Sequence, residues 1–365
     1  MRIAQIAPPW LPVPPVGYGG VEVVVHHITE GLVARGHEVT LFAPGDSKTK
    51  AKLSSVFEKA LGNDGSLKNN PYTELFELHP AFAHASDFDI IHSHAIGQAM
   101  FFADLVKTPV VHTVHGTLTA GEQNPDKRKV YQTFSKQNFV SISNTQQLGM
   151  PDLNFVATVY NGVDLSQFAL GDGEGGYLAW LGRITPKKGV VEAIHVAKVV
   201  GLPIKLAAFI DPVDQPFFDT AIKPLVDGTS VQFMGQLNDQ ERSMFLQKAK
   251  AFLFPIKWQE PFGLVIVEAM ACGTPVVAFG QGSVPEIIKD GQTGWIIPTG
   301  ESKPDVVDTV GIANMAAAMK KLLSLDASSY QAMRAACRKH VEDHFTVEKM
   351  VDGYEEVYQK LTKRR

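Results

Sequence analysis

The sequence predicts an α/β protein built from two doubly wound, Rossmann-like domains facing across a cleft, and three observations carry that reading. The 365 residues exceed one ordinary core, since single cores stop growing at roughly 250 to 300 residues. Short apolar runs alternate with stretches of helical period along the chain, the pattern of parallel sheets covered by helices. A breaker-rich stretch at 165–176, LSQFALGDGEGG, interrupts the alternation near its middle.

The elements follow in order. Residues 2–7 read as a strand, followed by a Pro- and Gly-rich loop that ends at Gly19-Gly20. Val21, Val24, Val25, Ile28 and Leu32 then recur on one helical face, and the helix stops at Gly36. Strands are expected at 38–43, 89–93, 109–114, 139–142 and 155–159, with helices near 96–106 and after Pro125. Beyond the breakers the alternation resumes, with strands at 177–181, 204–208, 231–234, 251–255, 274–278 and 294–297. The tail 305–363 is helical by period, with breaks near 324–326 and 345–346. The predicted domains are 1–168 and 176–345, with a C-terminal helix at 346–365 that crosses back to the first. Two facing open sheets put their strand ends at one cleft, where such sheets bind ligands. Closure of that cleft excludes water, with 171–176 as the natural hinge.

Composition narrows the function classes. Thirty-four Lys and Arg against 38 Asp and Glu give a formal charge of -4, so no global field attracts nucleic acid. Cys272 and Cys337 are the two cysteines, which argues against a disulfide scaffold and for a reducing, cytoplasmic setting. The first residues read as a strand, without the apolar region and cleavage site of a signal peptide. No run nears the roughly 18 apolar residues of a membrane span. The segment 47–53, with Lys48, Lys50 and Lys52, and Lys59 beyond it, reads as a solvated charged face ahead of a contact with anionic lipid.

The most informative stretch runs from Glu260 through Pro261, Phe262, Gly263 and Leu264 to Glu268, between two predicted strands. Glu260 lies just before a helix start, near the exposed amides of Phe262, Gly263 and Leu264. Glu268 sits about 9 Å further along the axis at 1.5 Å per residue. Free amides and the helix dipole favour an anion there, and Gly263 admits close approach to the backbone. Taken alone, two such acids read more readily as a cap and a solvated helix residue. Arg183 and Lys188 lie in Gly182-Arg183-Ile184-Thr185-Pro186-Lys187-Lys188-Gly189, after the first strand of the second domain. A forked guanidinium and a mobile ammonium there suit a departing diphosphate; solvated surface cations are the alternative.

These motifs resemble the E-x7-E and G-R-x4-K-G elements of the retaining GT-B glycosyltransferases of family 4, and the resemblance extends over essentially the whole chain. It implies a GT-B fold and a nucleotide-sugar donor. Glu260 would lie beside the transferred sugar, the amides of Phe262, Gly263 and Leu264 on its hydroxyls, and Glu268 on the donor ribose. Gly17-Tyr18-Gly19-Gly20-Val21-Glu22 matches the family's G-G-x-E loop, which places Gly19 and Gly20 against the donor diphosphate. His115, in Thr113-Val114-His115, matches a Thr-x-His beside the donor sugar's C6 side; a packed imidazole is the alternative. Asn161-Gly162-Val163-Asp164 matches N-G-V-D, reads as a turn, and gives Asn161 a contact with the site.

The implied reaction moves a hexosyl group from a nucleotide-diphosphate sugar to an acceptor hydroxyl by front-face attack, with retention. A UDP-sugar is expected before GDP-mannose. The acceptor is a carbohydrate, a lipid or a small molecule. Asp87-Phe88-Asp89 has the D-x-D spacing of a metal site but precedes its strand instead of ending it, so no metal and no cofactor are expected. The rival readings are a GT-B-fold sugar-nucleotide 2-epimerase, a phosphorylase, and an inactive sugar-nucleotide-binding module; intact Glu260, Arg183 and Lys188 argue against the last.

Overall fold

In a computed structural model, which describes residues 1–17, 19–62, 67, 70–95, 97–300 and 303–363, the chain divides into two units. One comprises Met1–Gly162 with Val347–Arg365, the other Val163–Thr346.

The first unit is a seven-stranded parallel sheet in the order β3-β2-β1-β4-β5-β6-β7. Its strands are β1 (Arg2–Ile6), β2 (Glu38–Phe42), β3 (Lys52–Ser54), β4 (Ile90–Ser93), β5 (Val110–Val114), β6 (Asn138–Ser141) and β7 (Phe155–Thr158). Strand alternation sends Ala4, Ile6, Ile91 and Val110 to a core shared with Leu78, Ala81 and Phe82 of a helix at Pro71–Ala83. Gln5, His92 and Thr113, all buried, instead hydrogen-bond to the tyrosines of the last helix, Val347–Thr362. That helix buries Met350, Val351, Tyr354, Val357, Tyr358 and Leu361, spaced as one helical face. Arg35, at the end of the first helix (α1, Gly20–Ala34), pairs with its Asp352 at 2.7 Å and with Glu355.

Among the elements of this unit that were not expected, two show why. Strand β3 falls where 47–53 reads as a solvated basic face; it is an edge strand paired with β2, and Thr49 and the Lys50 amide are held by Glu30. Three residues are too few to show a period. The helix Pro71–Ala83 carries Pro80 within it, which breaks the helical signature. The helix expected at 96–106 is shorter, Gln98–Ala103; Ile96, its expected start, lies outside the described residues.

The second unit is a six-stranded parallel sheet, β10-β9-β8-β11-β12-β13. It uses β8 (Leu178–Arg183), β9 (Ile204–Phe209), β10 (Val231–Gly235), β11 (Ala251–Phe254), β12 (Val276–Phe279) and β13 (Gly294–Ile297). Helix α2 (Val190–Val200) follows β8, and α3 (Leu264–Ala271) joins β11 to β12. The stretch 171–176, expected to be the hinge, is fastened to this unit instead. The amides of Gly171, Gly173 and Gly175 donate to the carbonyls of Cys272, Gln247 and Lys248 at 3.0, 3.0 and 2.8 Å. A Cβ at Gly171 would stand 2.2 Å from the Gln247 carbonyl oxygen, so close packing, not flexibility, explains that glycine. The division between units falls earlier, between Gly162 and Val163.

Among the described residues, no helix is long and apolar enough to cross a membrane.

Candidate functional site

Strands β8 and β11 are parallel neighbours, so the turns leaving their carboxyl ends emerge side by side. The first carries Pro186–Lys188, the second Lys257, Trp258 and Glu260. Residues 72 positions apart thereby meet: Lys188 Nζ donates to Glu260 Oε2 at 2.6 Å. The Trp258 indole N–H donates to the same oxygen at 2.9 Å. Lys188 Nζ also lies 5.2 Å from the Trp258 ring centroid, within cation–π range. Glu260 is 8 % exposed, which strengthens both charge-assisted bonds.

Backbone geometry sets this register. Gly189 follows Lys188 with φ +68°, and a Cβ there would stand 1.9 Å from the Pro255 carbonyl oxygen. The Trp180 indole donates to the Lys188 carbonyl at 3.2 Å, and the Lys257 amide to the Lys187 carbonyl at 2.8 Å. Lys257 is itself anchored inside the unit, donating to Glu192 Oε1 of α2 at 2.7 Å and to the Val306 carbonyl at 2.6 Å. The motif reading missed Lys257 and Glu192. On sequence, Glu192 is an ordinary acid in the first turn of a helix, and only the fold shows that it is buried.

The Glu260 loop is braced from the segment after β12. Ser283 donates its amide to the Glu260 carbonyl at 2.9 Å and its hydroxyl to the Phe262 carbonyl at 2.7 Å. The Phe262 ring packs edge-on against Phe345. Gly263, at φ 86°, is the N-cap of α3, and no side chain caps the helix. Among the described residues the amides of Gly263 and Leu264 find no acceptor, so the loop offers N–H donors beside Glu260.

Two of the predicted residues are engaged otherwise than expected. Arg183, read as an open fork for phosphate, is held by Asp214 Oδ2 at 2.6 Å and stands 3.6 Å from Asp211 Oδ2. Both acids lie past the end of β9, the other neighbour of β8, and a distant strand end leaves no local signal. Glu268 is 7 % exposed; its Oε2 stands 3.6 Å from Arg242 Nε and makes no hydrogen bond among the described residues. Burial raises its pKa; Arg242 opposes the rise and Asp239 adds to it.

In the first unit, Gly19 is the N-cap of α1, with φ 157°, and is buried against Pro15, while Gly20 is exposed. Tyr18 of that loop lies outside the described residues. His115 stands one residue past β5, half-buried, its Nε2 2.9 Å from His94 Nδ1. Burial pushes it down to about 4, so it is neutral at physiological pH. Asn161 is buried, and its Oδ1 lacks a hydrogen-bond partner among the described residues. The expected Asn-Gly turn is absent: 159–162 runs without a turn, and the Gly162 amide lies 3.2 Å from Met350 Sδ. Asp89 of the D-x-D clamps Arg2 through backbone and side chain, both at 2.8 Å.

Comparison with known proteins gives this arrangement its family. A model described as glycosyl transferases group 1 matches residues 167–340, and one described as glycosyltransferase family 4 matches 18–167. N-acetyl-alpha-D-glucosaminyl L-malate synthase of Bacillus anthracis is 26 % identical over 378 residues, covering 93 % of each chain. A phosphatidyl-myo-inositol mannosyltransferase of Mycolicibacterium smegmatis is 28 % identical, covering 86 % of this chain and 84 % of its own. Among solved structures, sucrose-phosphate synthase of Thermosynechococcus elongatus superposes with a TM-score of 0.82 at 18 % identity, covering all of both chains. Anabaena HepE, solved with UDP and glucose, superposes with a TM-score of 0.76 at 18 % identity over 99 % of this chain and all of its own. With its two parallel-sheet units and the Lys188–Glu260 site between neighbouring strand ends of the second, this chain belongs to the family 4 glycosyltransferases, enzymes of the GT-B fold that transfer sugars.

Proposed function

We propose that this enzyme takes a hexosyl group from a nucleotide-diphosphate sugar, a UDP-sugar before GDP-mannose, and passes it to an acceptor hydroxyl with retention of anomeric configuration. The observation that carries the reading is the 2.6 Å contact of Lys188 with Glu260 beside the unbonded amides of Gly263 and Leu264. Lys188 supplies positive charge to the departing diphosphate. Glu260 steadies the transferred sugar, and the amides of Phe262, Gly263 and Leu264 meet its hydroxyls. Glu268 takes the donor ribose through its remaining oxygen. Arg183 reaches phosphate by exchanging Asp211 and Asp214 for it. In the first unit, His115, Gly19, Gly20 and Asn161 serve the same donor.

The β-phosphate takes the acceptor's proton, so the reaction needs neither a protein nucleophile nor a dedicated base. Positioning and charge stabilisation do the work, without a metal or cofactor. Two relatives support the donor class: the HepE structure with UDP and glucose, and the Bacillus relative named for N-acetylglucosaminyl transfer to malate. The mannosyltransferase relative, named for phosphatidyl-myo-inositol, keeps lipids beside carbohydrates and small molecules among the acceptors.

Incubation with UDP-glucose, UDP-N-acetylglucosamine, UDP-galactose and GDP-mannose tests the reading, by slow release of nucleoside diphosphate without acceptor. Release from one donor, lost in Glu260→Ala and Lys188→Ala, is the expected result. Neither release nor binding with any donor overturns it, and interconversion of the donor without acceptor would make the protein an epimerase.

A further inference from the structure

Beneath the last helix of the first unit, seven polar side chains form one unbranched hydrogen-bonded chain. His115 Nε2 meets His94 Nδ1 at 2.9 Å, and His94 Nε2 meets Gln5 Oε1 at 3.0 Å. Gln5 Nε2 donates to Tyr358 Oη at 2.8 Å, and Tyr358 Oη meets His92 Nδ1 at 2.7 Å. His92 Nε2 meets Thr113 Oγ1 at 2.7 Å, and Thr113 shares a 3.0 Å bond with Tyr354. Six of the seven residues are at most 4 % exposed, and His115 alone reaches the surface.

Proton bookkeeping along this chain is restrictive. Burial holds His92 and His94 well below the usual histidine range, and His115 is neutral as well, so each ring carries one N–H. A buried donor without an acceptor is costly, so every link must pair a donor with an acceptor. Gln5 turns its carbonyl oxygen to His94, so His94 donates from Nε2 and its Nδ1 is bare. A bare His94 Nδ1 needs a donor, which places the proton of His115 on Nε2. On the other side the Gln5 amide donates to Tyr358, Tyr358 donates to His92 Nδ1, and His92 donates from Nε2 to Thr113. Turning the Gln5 amide over would reverse these links and move the His115 proton to Nδ1; a mixed arrangement leaves a link with two donors or none.

We propose that Gln5 is a positioning residue that locks His115 in a single tautomer, proton on Nε2, so that its other ring nitrogen, Nδ1, meets the substrate purely as a hydrogen-bond acceptor. Past the carboxyl end of β5, where open α/β sheets bind ligands, such an atom selects a group that can donate. A sugar hydroxyl satisfies it, whereas a carboxylate brings only lone pairs. Resting on the transfer reading above, the group that meets this atom is a hydroxyl of the substrate.

Long-range proton–nitrogen NMR correlation on the full chain, with 15N-labelled histidine and His115→Asn to assign the ring, tests the lock without any substrate. The expected wild-type spectrum shows one His115 tautomer, protonated at Nε2. Gln5→Met should turn it into an exchanging mixture. Gln5→Glu, which still accepts from His94, should restore it. A mixture in the wild type, a proton on Nδ1, or a tautomer indifferent to Gln5→Met overturns the proposal. Should Gln5→Met fail to fold, the wild-type spectrum and Gln5→Glu still decide.

A second arm measures nucleotide release from whichever of the four nucleotide sugars the protein turns over, in the wild type, Gln5→Met and Gln5→Glu. Release should fall roughly tenfold or more in Gln5→Met and be kept in Gln5→Glu. Release unchanged in Gln5→Met overturns the contact of His115 with the substrate. If none of the four is processed, the transfer reading fails, and the tautomer spectrum still judges the lock.

Discussion

Lys257 and Glu192 form a 2.7 Å ion pair in which both side chains are 2 % exposed, and the backbone N–H of the same lysine holds the Lys187 carbonyl. The pair therefore joins the interior of the second unit to the turn that presents Lys188. Removing one partner strands a buried charge, which costs about 3–5 kcal/mol. Lys257→Met or Glu192→Leu alone should lower the unfolding free energy, measured by urea denaturation, by that amount. The double variant, with two apolar side chains, should recover most of it. A single variant as stable as the wild type would mean that the pair is solvated in solution.

Lys188→Ala removes the cation that Glu260 and Trp258 hold in place. If Lys188 is worth as much as an oxyanion-hole donor, the loss is about 2.7–4 kcal/mol of transition-state stabilisation, roughly a hundredfold to a thousandfold in kcat. Donor affinity, measured by calorimetry, should fall far less, because the charge it meets develops during the reaction. Loss confined to affinity would make Lys188 a binding residue, and loss of neither would remove it from the mechanism.

The central strands were legible because each buries both faces and so reads as a short apolar run, and most connecting helices have their own period, while the short edge strand β3 and the helix carrying Pro80 gave no such signal. The Lys188 and Glu260 motifs were legible because each is contiguous. Their partners were not. Asp211 and Asp214 reach Arg183 from the end of another strand, and Gln5 reaches Tyr358 across 353 positions. A buried acid on a helix, such as Glu192, has the same local sequence as a solvated one. The glycines of 171–176 misled for a related reason: absence of a side chain reads as flexibility, while here it admits the backbone of the neighbouring segment.

Gly189 and Gly201 offer a paired test of that distinction. Both have left-handed backbone, φ +68° and +73°. A Cβ at Gly189 would meet the Pro255 carbonyl oxygen at 1.9 Å, and one at Gly201 would meet open space. Gly201→Ala should cost only the conformational penalty, about 1–2 kcal/mol. Gly189→Ala must also displace the Pro255 backbone, so it should melt well below Gly201→Ala and lose nucleotide release with the Lys188 turn. Equal melting temperatures would show that the two turns are not held together as described.

Glu77 sits on the Pro71–Ala83 helix of the first unit, 1 % exposed, with neither carboxylate oxygen hydrogen-bonded among the described residues. Burial raises its pKa to about 7, against about 4.3 for an unfolded glutamate. The folded state therefore binds the extra proton between these values, and stability must fall as pH rises through them. The contribution is fully present below about pH 4.3 and lost as pH climbs through about 7, a difference on the order of 3 kcal/mol. Glu77→Leu removes the titrating group and keeps the apolar contacts. Urea midpoints at about pH 5 and about pH 8 should converge in this variant relative to the wild type, with the gain at the higher pH. An unchanged gap between the two midpoints would mean that Glu77 is ionised in the folded protein.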